Sequence, residues 1–224
     1  MSAFVTELTT AYPSLISGMI VTLKVLLLAI VGGMALGTVL AMMRLSGIKA
    51  LELPAKLYVN FFRSVPLLLI LLWFYFAVPM IYNGLTGSYI TFDTAFTSCV
   101  VAFMVFEAAY FSEVVRAGIQ SIGSAQVNAA KALGMTYAQT MRLIILPQAF
   151  RKMTPLILQQ CIILFQDTTL VFAIGLSDFF RSAYVRGELM GYLTPYILGA
   201  GAVYFIISLI ASIGVQRLQK SMRF

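Results

Sequence analysis

Histidine is absent from this 224-residue chain, and only 10% of its residues are charged. The first absence removes the commonest acid–base group near neutral pH and the commonest metal ligand. No paired-aspartate motif and no nucleophile beside a placed base stand in for it, so neither a catalytic residue nor a metal site is expected. Cysteine occurs twice, at Cys99 and Cys161, each inside an apolar run with no metal-ligating neighbour; both read as packing thiols. Residues 1–17 hold no Lys or Arg, so the basic start of a cleavable signal peptide is missing. Soluble domains average about 25% charged residues, so the low charge content excludes that class.

What is present is apolar sequence: 61% of residues are hydrophobic and the mean hydropathy is +0.95. A helix needs about 20 apolar residues to cross the hydrocarbon core. Five runs qualify, roughly Gly18–Met43, Val65–Tyr82, Phe96–Val115, Met153–Gly175 and Pro195–Val215. Pro54, Pro66, the 83–88 turn cluster, Gly123, Gly134 and Pro195 read as boundary signals. A lipid-exposed backbone must satisfy its own hydrogen bonds, which makes the expected fold an all-α integral membrane protein with residues 1–224 as one transmembrane domain.

The net charge of +7 is distributed by topology rather than gathered on a nucleic-acid-binding face. Arg44, Lys49, Lys56 and Arg63 lie between the first two spans, and segment 83–95 has no basic residue. Arg116, Lys131, Arg142, Arg151 and Lys152 precede the fourth span, and Arg217, Lys220 and Arg223 follow the fifth. Only Arg181 and Arg186 fall in the opposite set of loops, offset by Asp178 and Glu188. The positive-inside rule then puts the N-terminus outside and the C-terminus in the cytoplasm of a multi-pass membrane protein. In the first span Ala29, Gly33, Gly37 and Ala41 recur every fourth residue and clear one helix face. That face packs either within this subunit or against a second membrane subunit.

Residues 124–147 carry the most distinctive pattern. Ser124 can N-cap a short helix to Leu133, with Gly134 just beyond its end. Ala125, Ala129 and Ala132 share one methyl-covered face. Thr136-x-x-Gln139 reads as a capping box opening a second helix that Pro147 ends. The segment is either a helix–glycine–helix docking knuckle or an ordinary amphipathic loop on the membrane surface, and the register of Ala-Ala, Gly and Ile-x-Leu-Pro favours docking.

With those residues in view, the chain resembles the permease subunits of bacterial ABC importers for polar amino acids, the histidine/glutamine/glutamate type. Asn128, Ala129, Ala130, Gly134, Ile144, Leu146 and Pro147 match the cytoplasmic EAA loop of that family. Further matches are 62–68 (FRSVPLL), 107–119 (EAAYFSEVVRAGI) and 165–170 (FQDTTL), so the resemblance covers about residues 15–218. Two departures stand out. Asn128 replaces the usual Glu, and Ala125-Gln126 replaces Gly-Gln, which questions any salt bridge at that point but not docking of the Ala face. The wording of 165–168 and of 73–79 (WFYFAVP) most resembles glutamate/aspartate permeases.

The resemblance implies an ABC type I importer permease fold and transport by alternating access. It also implies an ABC ATPase dimer holding ATP and Mg, a second and similar permease subunit or a second copy, and a periplasmic amino-acid-binding protein. This chain has no G-x-x-x-x-G-K-[ST] loop to hold nucleotide itself. A secondary transporter or channel is the competing expectation, but five spans without evident duplication offer no internal repeat for it.

Ionisable residues inside spans mark the candidate substrate pathway. At 1.5 Å per residue, Lys24, Asp167 and Glu107 lie about 9, 12 and 16 Å from the outer ends of their helices. Lys24 and Asp167 are expected to meet, either as an ion pair fixing helix register or around a cavity that draws a substrate carboxylate to Lys24 or Arg63. Glu107 and Gln166 complete the candidate set. Arg63 reads more readily as an interface or headgroup contact, and Glu113 and Arg116, three apart, as a local pair.

Overall fold

The computed structural model describes residues 2–88 and 94–222, so Arg223 and residues 89–93 between the second and third spans lie outside the described residues. Eight helices and no strand are present among the described residues. They are α1 (Ser2–Leu45), α2 (Lys49–Ser64), α3 (Leu67–Thr86), α4 (Thr94–Gln120), α5 (Ser124–Ala132), α6 (Tyr137–Ile174), α7 (Phe179–Leu189) and α8 (Leu193–Ser221). Five of them are long and apolar enough to span a membrane: α1 from Thr9, α3, α4, α6 and α8.

Helix α4 is the hub. Its buried face carries Cys99, Ala102, Phe103, Phe106, Ala108, Ala109 and Phe111, and α1, α2, α3 and α6 all pack on it. The small-residue stripe of α1 makes the closest of these crossings. Ala29 and Ala41 are fully buried. A Cβ on Gly33 would lie 3.1 Å from Glu107 Cβ, and one on Gly37 would lie 2.8 Å from the Ala108 carbonyl oxygen. The stripe therefore serves packing within this subunit, not an interface with another.

Three expectations about helix boundaries need correction. The first span starts at Thr9, nine residues earlier than hydropathy suggested. The polar turns of α1 stay helical because Ala11 is buried with Phe179, Ala183 and Tyr196 of the α7/α8 layer, and Glu7 pairs with Arg186. Pro54 lies inside α2 rather than at a boundary. This amphipathic helix, read as loop from sequence, rests on α1 and α4 through Ala55 and Val59. Tyr58 donates to the Val105 carbonyl at 2.7 Å, and burial pushes its phenol up to about 12, so the donor proton is retained.

Pro147 does not end a helix either. Residues 137–140 pass through a π turn at Met141–Ile145 into Leu146–Asp167, with Pro147 in the first turn after the wide segment. Trp73–Ala77 and Pro79 repeat the device in α3. A proline lacks an N–H and its ring presses on the carbonyl four residues back, so a π turn just before it gives the chain a way to continue.

Helix α7 lies between the fourth and fifth spans and was also missed, being short and weakly apolar. Its first three N–H groups are all satisfied: Phe179 donates to Thr22 Oγ1 of α1 at 3.1 Å, Phe180 to Asp178 Oδ2 at 3.2 Å, and Arg181 to Asp178 Oδ1 at 2.8 Å. Burial raises the Asp178 carboxyl to about 6, although those backbone donors pull it down. At the α1–α7 crossing, a Cβ on Gly18 would lie 2.5 Å from the Asp178 carbonyl oxygen, so only glycine fits.

Candidate functional site

The 124–147 segment forms a knuckle at the end of the bundle shared by the C-termini of α1, α4 and α8. Ser124 is the first residue of α5 rather than its cap; Gly123 holds the cap position, with no side-chain bond. The far end follows expectation. Gly134 has φ +74°, its N–H bonds to the Lys131 carbonyl at 2.9 Å, and the Met135 N–H reaches Ala130 at 3.0 Å. This pair of bonds closes α5 in a left-handed turn that glycine adopts without steric penalty. The capping box is also present: Gln139 N–H donates to Thr136 Oγ1 at 3.3 Å, and Thr136 N–H to Gln139 Oε1 at 2.8 Å.

Burial divides the expected docking residues. Ala125, Asn128, Ala129, Ala132 and Gly134 are exposed along the outer side of the knuckle. Ala130 is 3% exposed and turned inward, and Ile144 is half-buried against the cluster of Val115, Ile122 and Ile145 that seats the knuckle on the spans. Leu146 and Pro147 are exposed on the first turn beyond the π segment. Sequence reasoning missed the largest apolar side chains of the surface: Leu133 is 81% exposed, Tyr137 79% and Leu143 61%. The available signal was a large apolar side chain at each margin of the glycine, in a loop too basic to lie within lipid.

Beside the knuckle, three arginines converge on one carboxylate. Glu113 pairs with Arg44 of α1, with Arg116 at 2.6 Å and with Arg63 of α2 at 3.8 Å. Arg63 also lies 5.7 Å from the Tyr110 ring. The structure thus ties α1, α2 and α4 together at this end and assigns Arg63 a partner that sequence reasoning did not foresee. Glu113→Ala would leave Arg44, whose side chain is 11% exposed, without its carboxylate. A loss of about 2–4 kcal/mol is expected, because the remaining charge is partly buried and unpaired. Thermal unfolding in detergent should show it, and adding Arg44→Ala should recover part of the loss; equal melting temperatures for wild type and Glu113→Ala would contradict the cluster's role.

The intramembrane polar residues do not assemble as expected. Lys24 is exposed, and no ion pair within 4.0 Å joins it to Asp167 among the described residues. Glu107 is fully buried and does face the interior, where it accepts from Gln160 Nε2 at 3.1 and 3.3 Å. Gln160 and Asp167, seven apart, share a face of α6, and Asp167 is half-buried where the helix tightens to a 3-10 turn. Gln166 is exposed on another face, lining a cavity of about 230 Å³ with Gln159, Ser208 and Ser212. One subunit therefore leaves Lys24 and Gln166 uncovered within spanning helices.

Residues 33–224 match the family of binding-protein-dependent transport system inner membrane components. The chain is 52% identical over 208 residues to the glutamate/aspartate import permease protein GltK of Escherichia coli O6:H1, covering 93% of each chain. It is 37% identical to the arginine transport system permease protein ArtQ of Bacillus subtilis, covering 93% of this chain and 94% of ArtQ. Among solved structures, an amino acid ABC transporter crystallised with histidines superposes with a TM-score of 0.86 at 32% identity, covering 96% of each chain.

Proposed function

The chain belongs to the binding-protein-dependent transport system inner membrane components, and on that premise we propose that it carries acidic amino acids, glutamate and aspartate, as the permease subunit of an ATP-driven importer. It is a multi-pass inner-membrane ABC permease whose family implies ATPase and binding-protein partners. Residues 1–224 act as a single transmembrane domain, with the N-terminus periplasmic and the C-terminus cytoplasmic, a reading supported by twelve basic residues in one set of loops against two in the other.

The observation that carries the mechanism is the knuckle: a capped, glycine-hinged element seated by Ala130 and Ile144, with Ala129, Leu133 and Tyr137 exposed. Its outer face docks on an ABC ATPase that binds ATP and Mg. Closure of an ATPase dimer draws two such knuckles together, tilts the spans, and opens the path toward the periplasmic binding protein. Because α6 runs unbroken from Tyr137 past Pro147 into the fourth span, a pull on the knuckle is transmitted along that helix to Asp167.

A second permease subunit, similar rather than identical, completes the path. An ionised side chain facing lipid near the middle of a span is unfavourable by on the order of 2.5–3.5 kcal/mol. Lys24 and Gln166 therefore face an inter-subunit pathway, with Asp167 at its edge, while Glu107 positions α4 against α6. Arg63 belongs to the base of the bundle and enters the pathway only through its tie to Glu113. Uptake kinetics of Lys24→Met test the assignment. A rise in KM for glutamate at normal expression is expected; unchanged KM with poor expression would reduce Lys24 to a structural role.

A further inference from the structure

A cavity of about 400 Å³ opens between α1 and α7 at the end of the bundle opposite the knuckle. That volume lies within the range of small-molecule sites, about 300–1,000 Å³. Its wall mixes polar and apolar groups: Ser14, Ser17, Ser177 and Ser182 lie around Arg181 and Arg186, beside Val185 and Leu189, and the Ser14 hydroxyl donates to the Ala11 carbonyl at 2.7 Å. Arg186 is held by Glu7, yet its Nε is buried without a hydrogen-bond partner. Arg181 has no carboxylate within 4.0 Å among the described residues; its guanidinium rests 5.9 Å from the Phe172 ring. Asp178 forms no ion pair with it within 4.0 Å; its two oxygens accept instead from the backbone N–H groups of Phe180 and Arg181.

The cavity thus offers one guanidinium free of an acid and serine hydroxyls to surround what it holds. A planar guanidinium fork matches a carboxylate through two parallel hydrogen bonds. We propose that this cavity is a receiving site for a carboxylate of the transported amino acid, with Arg181 as its anchor and Ser17, Ser177 and Ser182 as neutral donors. The proposal rests on the acidic amino-acid importer described above and adds a station to it. Ser17 and Lys24 are seven residues apart on one face of α1, about 10 Å along the helix, so a carboxylate released from Arg181 has a second cation ahead of it. A recess of this size between two helices suits a small ligand better than the flat face of a partner protein.

The test uses the assembled importer in nanodiscs, without nucleotide or binding protein, and measures binding of labelled glutamate. Saturable binding is expected. Arg181→Gln should weaken it at least about tenfold, the order expected for losing a charge-assisted hydrogen bond, with Arg181→Lys in between. Ser17→Leu, which narrows the cavity and keeps the charge, should weaken it too. Absence of binding to the wild-type complex, or equal binding by Arg181→Gln, would overturn the receiving site. So would a defect of Arg181→Gln seen only in uptake from the binding protein, which would make Arg181 a docking contact instead. Failure of the wild-type complex to import glutamate with ATP would instead remove the importer reading itself, so the two failures are distinguishable.

Discussion

Aspartate at both Leu133 and Tyr137 is expected to abolish ATP-driven uptake while leaving the chain folded and in the membrane. Both side chains project from the knuckle at about four-fifths exposure, so folding gains little from them. Surface substitutions of this kind usually change stability by about 0.5 kcal/mol or less. A large apolar or aromatic anchor buried in a partner's cleft is worth about 2 kcal/mol or more to an interface. Losing one weakens assembly about 30-fold, and a carboxylate introduced into the same cleft adds its own desolvation penalty. The variant should therefore purify at wild-type yield, lose most of the ATPase, and show no nucleotide-dependent transport. Uptake at wild-type rates would mean that the ATPase does not grip this face.

Leucine at Gly37 should prevent accumulation of the folded chain. The Cβ alone would lie 2.8 Å from both the Ala108 carbonyl oxygen and Phe111 Cβ, and 3.0 Å from the Ser112 nitrogen. Two of those three atoms are backbone, so no rotamer change clears them and α1 must move off α4. Overpacking of this kind is unfavourable by about 1–3 kcal/mol, and the crossing of α1 with the hub helix puts it at the upper end. Membrane yield and the melting temperature in detergent report the effect. Gly37→Ala should be milder, and Phe111→Ala should not rescue the leucine variant, because alanine keeps the same Cβ and the Ala108 carbonyl remains. Normal yield of Gly37→Leu would show that the stripe is not a contact within the subunit.

The parts of this molecule legible in the sequence are those governed by short-range rules. Hydrocarbon thickness sets the five spans, backbone sterics place Gly134, and side-chain reach makes the Thr136–Gln139 box. What was not legible depends on which elements meet. Helix α2 was read as loop because charges and Pro54 break its hydropathy, yet one face packs on α1 and α4. Helix α7 is too short to register, and its N-terminus is completed by Thr22, 157 residues away. Pro147 signals a stop locally, but the preceding π turn lets the helix pass.

The polar site was read in part. Glu107 faces inward as expected, and its partner there, Gln160, was not foreseen, because the α4–α6 crossing brings these two side chains together. Arg63, taken as an interface or pathway residue, found Glu113 through the placement of α2. The proposed docking residues were chosen by spacing, which cannot distinguish Ala129, exposed, from Ala130, buried one position on. Leu133 and Tyr137 were overlooked because apolar residues in an apolar chain attract no notice until their exposure is seen.

The most direct test of the central claim is native mass spectrometry of the complex that this chain forms when isolated in mild detergent. Two ATPase subunits with this chain and a second, similar permease are expected, with the ATPase missing when Leu133 and Tyr137 are both aspartate. Recovery of the chain alone or as a homo-oligomer, with uptake driven by an ion gradient and indifferent to ATP, would contradict it.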